Sequence, residues 1–293
     1  MFKLQGRIIK IDSGFFYIYR EDKIYECKLR GKLKVANDNL YVGDNAEFTI
    51  FDNNYGIIEK ILKRNNLIDR PKIANVDQLF IVMSLGYPKI DYNVLDRILI
   101  LSRRQGVMPV IILNKYDQGI EAELIEIKKI YKDYDLLFTS TKTGEGIEEL
   151  KSLIKGKLSV FAGPSGVGKS SLLNVICGKI MNLTGSLGLK IHRGKHTTRI
   201  SQLYNVAEGL IADTPGFSRV DFPKDMKMRE LPELYHEYKI VSQNCKFNGC
   251  LHYHEKNCAV KSLVSEGLLS QDRYDRYIYF LNELKEIEER RYK

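Results

Sequence analysis

The sequence predicts a multidomain α/β chain: an N-terminal OB-like β-barrel, a central doubly wound α/β domain, and a C-terminal helical segment built around a metal. Three observations carry this reading. Five short runs of β-branched and aromatic residues crowd the first 65 positions. Strand, glycine-rich loop and helix follow one another from Lys157 to Ile176, within a longer alternation of strand and helix patterns. Three cysteines and two histidines fall within Cys245–Cys258. The expected domain boundaries are 1–65, 66–220 and 221–293.

Composition bounds the possibilities. At 293 residues the chain is long for a single core. Hydrophobic residues make up 44% and charged residues 28%, proportions of a folded globular protein rather than a disordered one. No apolar run approaches the ~18–20 residues of a membrane helix. Met1 to Arg20 lacks the layout of a signal peptide. The expectation is a cytoplasmic protein with no membrane partner. Five cysteines in such a chain do not suggest a disulfide framework. A net charge of +9 favours a polyanionic partner.

The barrel is read from Gly6–Ile11, Phe15–Tyr19, Ile24–Leu29, Ala46–Ile50 and Gly56–Ile61, with Asp12-Ser13-Gly14 and Glu21-Asp22-Lys23 as turns. Five short strands in so little chain suit a small closed barrel of the OB type. Arg7, Lys10, Arg20, Lys28, Arg30, Lys32 and Lys34 are interleaved with Phe15, Tyr17, Tyr19, Tyr25 and Tyr41. Such a face can bind nucleic acid by phosphate contact and base stacking. Equally, the tyrosines can be half-buried strand residues beneath solvated cations. Cys27 reads as core.

In the central segment Leu79–Leu85 reads as a buried parallel strand, followed by a helix from Tyr92 to Arg104. Val110–Leu113 is the next strand, Glu121–Tyr131 a helix, Leu136–Phe138 a strand and Ile147–Ile154 a helix. This alternation means a doubly wound sheet, with ligands at the carboxyl ends of its strands.

The centre of that segment is Gly163-Pro164-Ser165-Gly166-Val167-Gly168-Lys169-Ser170, with Ser171 behind it. It fits G-x-x-x-x-G-K-[ST] between the strand Lys157–Ala162 and the helix Ser171–Ile176, the context the motif requires. Small residues let several N–H groups point at one phosphate, and the helix N-terminus adds partial positive charge. Lys169 can reach the β- and γ-phosphates, and the Ser170 hydroxyl can ligate Mg²⁺.

Asn114-Lys115-Tyr116-Asp117 matches N-K-x-D at a strand end. A carboxylate at Asp117 can accept from the two adjacent donors of guanine, N1–H and the 2-amino group, which adenine does not present. Asn114 can hold the loop and the stem of Lys115 can lie on the base. Ser140-Thr141-Lys142 adds an element that offers the guanine carbonyl a backbone N–H. After the phosphate loop, Gly209–Ala212 is a strand ending in Asp213-Thr214-Pro215-Gly216. Asp213 can hold a Mg²⁺-bound water and the Gly216 N–H can approach the γ-phosphate. Between them lies the basic stretch Lys190–Arg199, in a segment without an acidic residue from Ser171 to Ala207. Thr197 or Thr198 can complete the Mg²⁺ shell, with Thr198 preferred.

These four elements together look like a GTPase, but in an unusual order. The guanine loop and Ser140-Thr141-Lys142 precede the phosphate loop, as in circularly permuted P-loop GTPases. A permutation changes only where the chain opens, so the sheet can be the same. Phe217 follows Gly216 where Ras-like enzymes place a water-orienting Gln. His196 is then the candidate to orient or deprotonate the attacking water; otherwise it faces phosphate or RNA.

In the C-terminal segment, Cys245-x₄-Cys250-x-His252-x₅-Cys258 offers the ligands of a closed tetrahedral Zn²⁺ site of structural type. His254 rivals His252, and ligand chemistry leaves both open. Cys177 reads as core. Helices are expected over Ala259–Leu268 and Asp272–Arg290.

Barrel, permuted GTPase elements and Cys-x₄-Cys-x-His-x₅-Cys, in that order, resemble the RsgA family of small-ribosomal-subunit-dependent GTPases. The likeness spans essentially the whole chain, and the zinc spacing and His196-Thr197-Thr198 are its most discriminating marks. The resemblance implies zinc on Cys245, Cys250, His252 and Cys258, which selects His252 over His254 by analogy. It also implies binding of the immature small subunit through rRNA, GTP hydrolysis there, release on hydrolysis, and a catalytic part for His196. A monomer is expected. Two other classes compete: a P-loop ATPase or kinase acting on a small molecule, against which Asp117 argues, and a zinc–barrel RNA-binding module with a vestigial nucleotide site.

Overall fold

The computed structural model describes residues 3–31, 39–52, 54–69, 71–178, 202–213 and 220–291. The five N-terminal runs form β1 (Leu4–Asp12), β2 (Phe15–Arg20), β3 (Lys23–Leu29), β4 (Asn45–Asp52) and β5 (Tyr55–Ile61). They close in the order β1-β2-β3-β5-β4. β3 runs parallel to β5 and the other pairs are antiparallel. The OB-like expectation therefore holds. Ile8, Phe16, Ile18, Tyr25, Cys27, Phe48 and Ile58 fill the barrel. The register of β1 shifts between Ile8 and Lys10. Successive side chains of a strand face opposite sides. Ile8 points into the barrel, while Ile9 joins the core beneath the central sheet.

This corrects part of the aromatic-face reading. Tyr25 is barrel core, and its ring lies 5.3 Å from that of Phe48. Tyr17 and Tyr19 pack against the same core as Ile9. Phe15 keeps Lys28 over its ring at 4.7 Å, and Phe51 and Tyr55 of the barrel are exposed. Lys32 and Lys34 lie outside the described residues.

A short hairpin, β6 (Leu67–Asp69) and β7 (Lys72–Ala74), links barrel to sheet and was not apparent from periodicity, because three-residue strands show none. The central sheet has the order β10-β9-β8-β11-β13-β12. It contains β8 (Gln78–Ser84), β9 (Met108–Asn114), β10 (Leu136–Phe138), β11 (Leu158–Ala162), β12 (Gln202–Val206) and β13 (Gly209–Asp213). All pair in parallel except the edge strand β12, which is antiparallel to β13. Every residue of β8 is buried. Leu79, Ile81 and Met83 enter one core and Phe80 and Val82 the other, so an unbroken apolar run suits a strand covered on both faces.

The helices that cover the sheet are α1 (Tyr92–Arg104), α2 (Glu121–Ile130), α3 (Ile147–Ile154) and α4 (Lys169–Cys177). α1 begins where Asp91 accepts from the Val94 N–H at 3.1 Å. Ahead of the metal loop come two short helices, α5 (Leu231–Leu234) and α6 (His236–Val241). They are followed by α7 (Ala259–Ser265) and the 19-residue α8 (Gln271–Glu289). Phe222, Met226, Tyr235, Tyr238, Tyr277, Phe280 and Leu284 form the C-terminal core, and Ile100 of α1 is part of it.

The C-terminal unit docks on α1 through buried charge. Asp96, fully buried, accepts from Arg273 Nη1, from Arg276 Nε at 2.6 Å and from the Tyr131 hydroxyl at 2.8 Å. Arg273 also donates to Glu237 and, at 2.8 Å, to the Tyr134 hydroxyl. Arg97 meets Glu283 with both nitrogens at 2.7 Å, and Arg104 meets Glu230 and Asp225 at 2.9 Å.

Candidate functional site

The loops singled out in the sequence converge at the carboxyl edge of the sheet, between β9, β10 and β11. Local backbone demands explain their composition. Gly163 has φ +135°, and a Cβ there would run into the carbonyl oxygen of Val82. Gly168 has φ +97°, and a Cβ there would strike the side-chain amide of Asn114. Only glycine lets the loop curl this tightly against its neighbours. Gly168 is the N-cap of α4, and Ser170 and Ser171 are exposed in its first turn. Pro164 is half-buried, Ser165 and Gly166 are exposed, and Val167 is buried. Lys169 donates to the carbonyl oxygens of Gly163 at 2.8 Å and Pro164 at 2.6 Å. Burial lowers its pKa.

Asn114 joins this loop to the guanine-type loop. It is 1% exposed, and its Nδ2 donates to the Val167 carbonyl at 2.9 Å while its Oδ1 accepts from the Thr139 hydroxyl at 3.2 Å. Lys115, in a left-handed conformation, donates to the carbonyl oxygens of Gly166 at 2.9 Å and Tyr87 at 2.5 Å. Tyr116 packs its ring against Phe138, with centroids 5.4 Å apart. Asp117 accepts from the Ser140 hydroxyl at 2.7 Å and has Lys142 Nζ at 3.8 Å. The Ser140 hydroxyl in turn accepts from the backbone N–H groups of Lys142 and Thr143, each at 3.2 Å, so Thr141 lies within a closed turn. The contribution of Tyr87 was missed in the sequence. The available signal was Gly86-Tyr87-Pro88, a turn at the carboxyl end of β8 where ligands of such sheets bind.

Asp213 ends β13, next to the phosphate-loop strand β11. His196, Thr197, Thr198, Thr214, Pro215, Gly216 and Phe217 lie outside the described residues.

The second constellation is Cys245, Cys250, His252 and Cys258, whose donor atoms all lie within 4.8 Å of one another. His252 Nδ1 is 3.6 Å from Cys245 Sγ and 3.3 Å from Cys258 Sγ, and those two sulfurs are 3.9 Å apart. Tetrahedral zinc, with Zn–S of about 2.3 Å and Zn–N of about 2.0 Å, sets neighbouring donors about 3.5–3.8 Å apart. The donor set and spacing fit that ion. His254 is exposed, with its ring against Tyr253 at 3.6 Å, outside the cluster. Burial pushes the Cys250 thiol up to about 12, raises Cys258, and lowers His252. A dication among these groups would favour the thiolates. The ligand loop is braced from within and from α8. Glu255 accepts from the N–H groups of Leu251 and Tyr253, each at 2.8 Å. The hydroxyls of Tyr274 and Tyr277 donate to the His252 and Leu251 carbonyls, each at 2.7 Å. These aromatic braces on α8 were not legible in the sequence as part of the metal site.

Comparison with known proteins extends the picture. The RsgA GTPase family model matches residues 61–223, and the RsgA N-terminal domain model matches residues 5–58. The chain is 42% identical to the small ribosomal subunit biogenesis GTPase RsgA of Caldanaerobacter subterraneus subsp. tengcongensis, with 100% of both chains covered. It is 41% identical to the protein of that name from Clostridium novyi, over 96% of this chain and 97% of the other. The crystal structure of YjeQ from Thermotoga maritima superposes with a TM-score of 0.84 at 35% identity, covering 97% of this chain and 99% of that one. YloQ, described as a circularly permuted GTPase, superposes at 0.83 with 34% identity, covering 97% and 96%. With the permuted strand order, the barrel and the Cys₃His cluster already on the molecule, this agreement across the full length means that the chain belongs to the RsgA GTPase family.

Proposed function

We propose that this protein hydrolyses GTP to GDP and phosphate as a late biogenesis factor of the small (30S) ribosomal subunit, stimulated by that subunit and released on hydrolysis. The observation that carries the reading is the pair of bonds from Asn114 to Val167 and from Lys115 to Gly166, which fasten a guanine-selective loop to a phosphate loop. A small-molecule ATPase or kinase has no need of Asp117 beside Ser140. The names of the relatives support the ribosomal role.

In this reading Asp117 selects guanine, with Asn114, Lys115 and Tyr116 shaping its loop and Ser140, Thr141 and Lys142 closing the base pocket. Residues 163–171 bind the phosphates through backbone N–H groups and Lys169. Ser170 and Thr198 would hold Mg²⁺, Thr197 would contact the nucleotide, Asp213 would hold a water of the Mg²⁺ shell, and the Gly216 N–H would meet the γ-phosphate. The chemistry Mg²⁺ would supply when bound is neutralisation of charge on the phosphates. His196 orients the attacking water. Cys245, Cys250, His252 and Cys258 hold one structural Zn²⁺. The barrel (1–65), which contacts rRNA, and the zinc unit (221–293) flank the GTPase domain (66–220) of a monomer that acts in the cytoplasm.

GTP turnover with and without purified small subunits tests the proposal. Turnover that rises with subunits supports it; turnover indifferent to them, or ATP hydrolysed as readily as GTP, overturns it.

A further inference from the structure

The edge strand β12 presents two faces to different parts of the molecule. Tyr204 and Val206 join the core on the side of α3 and α4. Leu203, 2% exposed, joins the opposite core together with Ile9 of the barrel. Asn205 shares the face of Leu203, since strand side chains alternate. Its Nδ2 donates to the Tyr19 hydroxyl at 2.5 Å and to Asp22 Oδ1 at 3.3 Å. The Tyr19 hydroxyl donates to that same Asp22 oxygen at 2.7 Å. Burial, with the Asp22 hydrogen bond, pushes the Tyr19 hydroxyl up to about 12, so it keeps its proton.

The strand that carries Asn205 is rigidly paired. Asn205 stands opposite Leu210, and the same register sets Gln202 opposite Asp213. The turn is two residues, Ala207 and Glu208, with φ of +50° and +59°. Such a tight turn ties the two strands in one register. It is held in turn by Gly156, whose N–H donates to the Glu208 carbonyl at 3.0 Å. A displacement of the barrel is therefore passed to the strand that ends at Asp213, beside the phosphate loop.

We infer that Asn205 is a positioning residue for hydrolysis: through Tyr19 and Asp22 it registers the Asp213-bearing hairpin against the barrel, so that RNA engaged by the barrel adjusts the γ-phosphate side of the site. This rests on the proposed roles of the barrel and of Asp213. It names the contact by which binding at one domain alters chemistry in another, with a two-stranded element as the physical link.

Full-length Asn205→Ala, Tyr19→Phe and the double variant are compared with the parent protein, alone and with purified small subunits. GTP affinity and intrinsic turnover stay within about twofold, and the maximal subunit-stimulated rate falls about fivefold, the effect of one hydrogen bond. The subunit concentration for half-stimulation changes less than that rate. The double variant is no worse than the poorer single variant, because Asn205→Ala already removes the bond to Tyr19. Unchanged maximal stimulation, or additive losses, overturns the inference. A second measurement is independent of ribosomes: backbone amides of residues 202–213 exchange faster in either single variant. Equal protection there overturns the coupling. A parent protein that subunits fail to stimulate, with exchange altered as expected, sinks the ribosomal role and leaves the coupling standing.

Discussion

A single amide side chain, Asn114, bridges the two loops that define the candidate nucleotide site, and its contacts set the expectations for single substitutions. Gly168→Ala drives a methyl group into that amide and places a non-glycine residue at positive φ. Strain of about 1–3 kcal/mol is expected at such a position, and with the bridge displaced, GTP affinity falls; equilibrium dialysis with labelled GTP measures it. Asp117→Asn removes the acceptor for guanine's paired donors and offers a donor in its place. Preference for GTP over xanthosine triphosphate then reverses by about a hundredfold or more, read by competition binding. Retained GTP preference would remove Asp117 from base selection. His196→Ala binds GTP normally but loses about 10²–10⁴-fold in subunit-stimulated turnover, the range for a lost acid–base group. Normal turnover would clear His196 of a catalytic part.

Among the elements, the metal loop shows how ligand spacing and packing divide the work. Donors clustered within fourteen residues announce the site in the sequence, but the loop's backbone is held by Glu255 within it and by Tyr274 and Tyr277 of α8. Purified protein should contain about one zinc per chain, a closed structural site. His252→Ala loses that zinc and the order of residues 245–265, because metal binding supplies ~10 kcal/mol or more toward folding such a unit. His254→Ala retains it. Metal analysis together with circular dichroism decides between the two histidines. The barrel teaches the opposite lesson. Its strands were legible from β-branched and aromatic runs, yet the direction each tyrosine faces was not. The β1 bulge and the docking of Tyr17 and Tyr19 against the central domain depend on residues far away in the chain.

At the scale of the whole molecule, α1 is the surface on which the zinc-binding unit is seated. Arg273 reaches Asp96 from a position 177 residues further along the chain, and stacks over Tyr131, Tyr134 and Tyr235. Asp96→Asn keeps the shape but leaves the buried Arg273 and the partly buried Arg276 without their shared carboxylate. Breaking a buried pair in this way costs about 3–5 kcal/mol. The C-terminal unit should open more readily, seen as faster amide exchange and earlier proteolysis within residues 220–291 while the barrel is unaffected. Protection equal to that of the parent would mean that the apolar contacts around Ile100 and Phe280 hold the unit without the charges.

Local spacing alone determined the barrel, the alternating central elements, the two candidate nucleotide loops and the cysteine cluster of a metal site, since each depends on neighbours a few residues apart. The order of those loops also revealed the permutation, because chain order is itself sequence. Tertiary structure decided which histidine stands among the thiols, which tyrosines are covered, and that Tyr87, Asn205 and Asp96 hold separate parts together. Contacts of that kind form between segments dozens or hundreds of residues apart, and no periodicity in the chain records them.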